Sequence, residues 1–327
     1  MTPQVIRTRI TDLFGIRHPL VCGGMMWLAD GAYVGAVSRA GCIGFITPRS
    51  FPTLEAYRAE IHKAREISED GAFGVNLYVS ARPEANEQLQ LFLDVAIEEG
   101  VRFVETAGFS PKAFMPKIKD AGIKVIHKCT TLRHAESAQR AGVDAITILG
   151  AEAGGHPGTD LIGAMVQGAI VPAALDVPVV LAGGMGTGRQ LMACLALGAE
   201  GMLLASRMIV SSEIWAHEAY KEHVVDMGAS DTRVIMSVFG DSSRVIYNET
   251  AAAILSLEAE GARDYEVYRP HVNGPLQRET YASGDWTKGA MSAGQAVAFA
   301  DRIAPAEEII DGIMAEAASV RGRLANL

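Results

Sequence analysis

Cysteine is scarce in this 327-residue sequence: Cys22, Cys42, Cys129 and Cys194 are the four present, and no Cys-x-x-Cys spacing occurs. Neither a disulfide framework nor a zinc site is expected from that pattern; small buried core residues in a reducing compartment are. Positive charge is also in deficit, with 29 Lys and Arg against 38 Asp and Glu and a formal charge of −9. No basic stripe is visible, so no nucleic-acid backbone and no anionic membrane surface is expected as a partner, since both need clustered cations. The N-terminus runs from Arg7 and Arg9 to Thr11 and Asp12 without the apolar region of a secretory leader, which reads as cytoplasmic. Even the most apolar later stretch, 163–186, is interrupted by Gln167, Pro172, Asp176 and Pro178, and it reads as barrel interior rather than a membrane span.

What is present is an enzyme-like balance: 49% apolar residues, 20% charged residues and 34 glycines. Short apolar runs at 19–22, 43–47, 73–79, 102–106, 124–128, 145–149, 177–182 and 201–205 have strand length. Most are rich in Val, Ile and Leu, as strands buried on both faces should be. Segments of helical period lie between them, at 54–68, 84–99, 111–121, 132–141 and 188–197, several followed at once by a stopping glycine. Eight such repeats predict an α/β fold, a (β/α)8 TIM barrel with a second, smaller, mainly helical domain; an open doubly wound sheet is the alternative. The barrel is expected over 1–211 and the small helical, substrate-side domain over 212–305. Within the latter, 215–227 and 248–260 read as helices and 269–289 as irregular. The segment 306–327 has Ile309, Ile310, Ile313 and Met314 at helical spacing and is expected to pack back on the barrel.

In such a barrel the chemistry sits at the C-terminal ends of the strands, and the loops after strands 7 and 8 commonly hold a phosphate. The run Ala182-Gly183-Gly184-Met185-Gly186-Thr187-Gly188 follows the seventh strand, and its glycines let backbone N–H groups approach an anion at the start of the next helix. Ala205-Ser206-Arg207 follows the eighth and adds a hydroxyl. The glycine spacing does not fit a dinucleotide fingerprint, which also wants an acidic residue where Ser206 and Arg207 stand; a plain tight turn is the other reading. After strand 6 comes Glu152-Ala153-Gly154-Gly155-His156-Pro157-Gly158, a flexible loop carrying His156 as a candidate base or proton donor, or else as a loop cap. Strand 5 ends in His127-Lys128-Cys129, where Lys128 either stabilises negative charge on a cofactor or makes an ordinary rim salt bridge. Asn76 in strand 3 can reach the same rim. Strand 1 delivers Cys22-Gly23-Gly24-Met25-Met26-Trp27, whose glycines permit close approach of a flat ligand.

Together these motifs resemble the nitronate monooxygenase family, also called 2-nitropropane dioxygenase-like, from about residue 14 to residue 310. The loop at 152–158, Phe73-Gly74-Val75-Asn76, Val125 to Cys129, Leu181 to Gly184 and Ser292-Ala293-Gly294-Gln295 fall in family order. The resemblance implies an FMN-binding barrel with a small helical second domain. It implies flavin contacts at Gly24, Met25, Met26, Asn76 to Tyr78, Lys128, Gly155, Gly184, Ala205 and Ser206, with His156 as the catalytic histidine. The strand-1 sequence looks more like the NAD(P)H:quinone reductase branch, which points to NADH or NADPH as co-substrate and a quinone-like acceptor. Oxidation of an alkyl nitronate with oxygen, reduction of an enoyl thioester and non-redox chemistry on a phosphorylated metabolite are the competing activities. Departures from the family pattern fall at Met26, where glutamine is common, at Met185-Gly186-Thr187, and at Ala205, where glycine is usual. Ala205 keeps its N–H, so phosphate binding is expected to survive unless positive φ is required there. A homodimer is compatible with the sequence, which carries no assembly signal of its own.

Overall fold

Strands that bury both faces need helices on the outside, and the chain supplies one after nearly every strand. The computed structural model describes residues 6–326, so the extreme ends of the expected spans, 1–5 and 327, lie outside the described residues. The barrel order is α1 (Arg9–Phe14), β1 (Leu20–Cys22), α2 (Gly31–Arg39), β2 (Ile43–Ile46), α3 (Leu54–Ser68), β3 (Phe73–Val79), α4 (Pro83–Glu98), β4 (Phe103–Gly108), α5 (Met115–Asp120), β5 (Lys124–Cys129), α6 (Leu132–Ala141), β6 (Ala145–Leu149), α7 (Ala164–Ala174), β7 (Val179–Ala182), α8 (Gly188–Ala196) and β8 (Gly201–Leu204). All eight strands pair in parallel with their sequence neighbours, and β1 closes on β8. It is a (β/α)8 barrel, as the alternation predicts.

Local chemistry sets the helix ends. Thr53, Thr131 and Thr187 each place a hydroxyl on the first free amides of α3, α6 and α8, and Gly142 ends α6 in the left-handed region at φ 92°. Two expectations change. The segment 111–121 is a short 3-10 turn followed by the brief α5 instead of one helix, because Pro116 interrupts its start. The stretch 163–186, expected inside the barrel, divides into the outer helix α7 and the strand β7. Helix α7 is apolar on its outer face too, with Met165, Val166 and Ile170 exposed, so it offers no periodic signal.

The barrel interior has two layers. Val21, Ile43, Phe45, Phe103, Ile126, Ala145, Val180 and Leu203 fill the lower one, and α1 plugs it from below with Ile10 and Phe14. Phe14 stands edge-on to Phe103 at 5.3 Å and to Phe45 at 6.4 Å between ring centres. Above this layer the inward-facing residues turn polar. The four cysteines are free and buried among the helices and strands.

Beyond the barrel lie α9 (Glu218–Asp226), β9 (Thr232–Ile235), β10 (Ser243–Ile246), α10 (Glu249–Ala259), α11 (Tyr265–Tyr268), α12 (Gly274–Ser283) and α13 (Ala306–Leu324). The antiparallel pair β9–β10 was not visible in the sequence, because each strand has four residues and the seven-residue connection 236–242 is longer than the short turns that mark a hairpin. Helix α12 lies within the stretch expected to be irregular. A small core of Ile235, Val245, Ile254 and Tyr268 holds this part together. Helix α13 packs against α8 so closely that a Cβ at Gly188 would lie 2.2 Å from the Ile313 carbonyl. Among the described residues no helix is long and apolar enough to cross a membrane.

Candidate active site

The loops at the C-terminal end of the barrel enclose a cavity of about 830 Å3, near the upper end for small-molecule sites. Gly24, Met25, Met26, Asn76, Tyr78, Lys128, Gly155, His156, Gly183, Gly184, Ala205 and Ser206 all line it, whereas Trp27, Leu77, Gly186 to Gly188 and Arg207 do not.

At the β7–β8 side, Gly183 and Gly184 adopt φ of 96° and 71°, a conformation that glycine alone enters freely. A Cβ at Gly183 would lie 2.8 Å from the Gly150 amide nitrogen, so the turn is also too tight for alanine. The amides of both glycines have no backbone or side-chain acceptor among the described residues. Ser206 is buried, and its Oγ accepts from the Gly294 amide at 2.7 Å, leaving its proton to be donated. Ala205 sits at φ −143° and needs no left-handed backbone, which removes the conflict that alanine there would have raised. The start of α8 is a correction to the sequence reading. The amides of Gly186 and Thr187 donate to Gln190 Oε1 and that of Gly188 to Glu316 Oε2, so the helix N-terminus is closed by its own side chains. Gln190 Nε2 also donates to the Gly184 carbonyl at 2.6 Å and fixes the turn. The groups left free to meet an anion are therefore the Gly183 and Gly184 amides and the Ser206 hydroxyl, not the helix end.

A buried polar cluster lies under the centre of the mouth. Lys128 Nζ is 3.0 Å from Glu105 Oε2, with side-chain exposures of 13% and 0%. The same oxygen accepts from Asn76 Nδ2 at 2.5 Å and from the Gly24 amide at 2.8 Å. Lys128 is thus in a salt bridge, but an interior one rather than a rim contact. Sequence reading missed Glu105, although a lone carboxylate within an otherwise apolar parallel strand is itself a signal. His127, pointing the other way, bonds Thr106 Oγ1 through Nδ1 at 2.8 Å. Burial, then the charges of His134 and Lys128, lower its pKa to about 4, so it is neutral at pH 7.

The loop after β6 is held by the segment beyond the barrel. Gly155 exchanges backbone hydrogen bonds with Arg244 of β10, whose guanidinium donates to the Ala151 carbonyl at 2.9 and 3.1 Å. With both backbone groups engaged, Gly155 forms wall and offers the cavity no amide. His156 projects half-exposed into the mouth, 3.5 Å from Asp241 Oδ1 and with its ring centre 6.3 Å from that of Tyr78. It makes no hydrogen bond to its own loop among the described residues, so it is not a cap. Burial, and then the charge of Asp241, raise the Tyr78 pKa, leaving a neutral O–H donor. Trp27 holds φ 68°, secured by Ser50 Oγ on its amide and Trp215 Nε1 on its carbonyl.

These groups fit FMN. Free glycine amides and a hydroxyl suit its phosphate, and a lysine suits the electron-rich ring. Glu152 also lines the cavity, but its carboxylate is turned onto the Ala164 amide at 3.0 and 3.2 Å, which keeps the cradle open to an anion.

Comparison with known proteins places the chain in a family. A carboxyl-CoA dehydrogenase of Rhodococcus jostii, acting on an octahydroindene skeleton by its name, is 27% identical over 96% of each chain. A probable nitronate monooxygenase of Staphylococcus saprophyticus is 30% identical over 86% of this chain and 90% of that one. The structure of FabK from Thermotoga maritima superposes with a TM-score of 0.89 at 32% identity, covering 98% of this chain and 99% of that one. The sequence pattern of nitronate monooxygenases matches residues 7–316, which takes in the barrel, the cradle, the Lys128 cluster and the His156 loop. The chain therefore belongs to the nitronate monooxygenase family of flavin-dependent oxidoreductases.

Proposed function

We propose that the protein is an FMN-dependent reductase taking electrons from NADH or NADPH and delivering them to a quinone-like acceptor. The observation that carries the reading is the meeting of the glycine cradle, the buried Lys128 cluster and an open mouth in one cavity. The chemistry supplied there is two-electron transfer through FMN. Gly183, Gly184 and Ser206 bind the phosphate, Lys128 offsets charge on the ring, and Asn76 fixes the ring face. His156 positions the acceptor or supplies a proton, and Tyr78 donates a hydrogen bond to it. Asp241 beside His156 favours a neutral acceptor over an anionic nitronate, because like charges brought together are destabilising. A second reading, redox chemistry on an acyl thioester such as reduction of an enoyl thioester, draws on the Rhodococcus relative, whose name specifies dehydrogenation of a carboxyl-CoA substrate.

Anaerobic titration of the FMN-loaded protein separates these activities. Bleaching of the flavin by NADH or NADPH, followed by recovery with a quinone, is expected. Recovery with crotonyl-CoA but not with a quinone selects the thioester reading. Bleaching by an alkyl nitronate and by neither nicotinamide overturns both in favour of nitronate oxidation.

A further inference from the structure

We propose that Glu105 is the positioning residue of the flavin site, fixing Lys128, Asn76 and the Gly24 amide at the ring and holding the reduction potential of the bound flavin low. The proposal rests on the FMN reading above.

Glu105 lies inside the barrel on β4, in register with Asn76 of β3, and is 0% exposed. A carboxylate there is costly unless paired and hydrogen-bonded. Three donors from β5, from β3 and from the loop after β1 converge on its Oε2, while Oε1 is buried with no partner among the described residues. Buried ion pairs are often replaceable by apolar residues without loss of stability, so stability by itself gives little reason for a carboxylate here. The asymmetry instead ties three cavity-lining groups to a single point. Lys128 is the clearest case: a free lysine has many rotamers, and the contact with Glu105 leaves it one direction beneath the mouth.

The charge matters as much as the geometry. An unopposed ammonium beside the ring would favour the reduced, electron-rich flavin and raise its potential. Glu105 offsets part of that field at short range, where the low-dielectric interior makes it strong. The reduced cofactor is then a stronger electron donor, which suits transfer to a poor acceptor more than storage of electrons.

Glu105→Gln keeps the shape and an acceptor oxygen but removes the charge. In the FMN-loaded variant the reduction equilibrium should move toward reduced flavin by about tenfold or more, read by anaerobic equilibration against a redox dye. In a Lys128→Met background the same substitution should give a measurably different shift, because a positioning role makes the two changes non-additive. Glu105→Asp retains the charge with a shorter reach. It should leave the potential near that of the parent while weakening FMN binding, measured by fluorescence quenching on the apoprotein. Should Glu105→Gln fail to fold, a parent-like FMN affinity in Glu105→Asp overturns the positioning role. A folded, FMN-loaded Glu105→Gln protein whose potential is unchanged overturns the proposal while leaving the FMN reading intact. Failure of the parent apoprotein to bind FMN removes the FMN reading itself.

Discussion

The lower and upper halves of the barrel interior are built from the same eight strands in opposite ways. Below, Val21, Ile43, Phe45, Phe103 and Ile126 pack together and are sealed by Ile10 and Phe14 of α1. Above, Asn76, Glu105 and Lys128 form a hydrogen-bonded cluster whose far side opens to the cavity. The rim goes further: His156 and Asp241 are exposed and meet at only 3.5 Å. The apolar packing is concentrated at the end closed by α1, and the polar and exposed groups at the end that opens to the cavity.

The comparison breaks most readily at the bottom. Phe14→Ala should cost about 4 kcal/mol of unfolding free energy in denaturant titration, with FMN affinity of the folded protein little changed. A large loss of FMN affinity at unchanged stability would show that the halves are not separable. Next is Lys128→Met, which leaves Glu105 buried and unpaired and should cost about 3 kcal/mol; the double change Lys128→Met with Glu105→Leu should recover most of that loss. His127 supplies a pH test. Its folded-state pKa, about 4, lies below the ordinary 6.5, so between those values the unfolded chain binds the extra proton. Stability should therefore be full above about pH 6.5 and fall by up to about 3 kcal/mol as pH drops towards 4, and His127→Asn should flatten that slope. Smallest in stability is His156→Ala, expected within about 0.5 kcal/mol of the parent because the side chain is half-exposed. Its turnover should nevertheless fall about 100-fold or more if it handles a proton. Retained turnover would leave it only a positioning part.

Much of this was legible in the sequence because it is local. Strand β3, helix α3 and helix α6 occupy the residues expected, since period, caps and stopping glycines act within a turn or two. The loops at Gly183-Gly184 and at 152–158 were equally readable, because glycine clusters and a lone histidine stand out against apolar strands. Helix α7 and the β9–β10 pair were not: a uniformly apolar helix has no period, and four-residue strands are too short to show alternation.

By itself the sequence determined the eight strands, the order of the glycine loops and the placing of Lys128 at the end of β5 and of His156 in the loop after β6. Only the tertiary structure decided which amides stay free: Gln190 and Glu316 take those at the start of α8 and leave those of Gly183 and Gly184. It also chose the partner of Lys128 and set Arg244 against the His156 loop. The reason is separation along the chain: Gly24 and Glu105 are 81 residues apart, and Arg244 and Ala151 are 93. No local preference spans such distances; barrel closure brings Gly24 to Glu105, and docking of β10 on the loop after β6 brings Arg244 to Ala151.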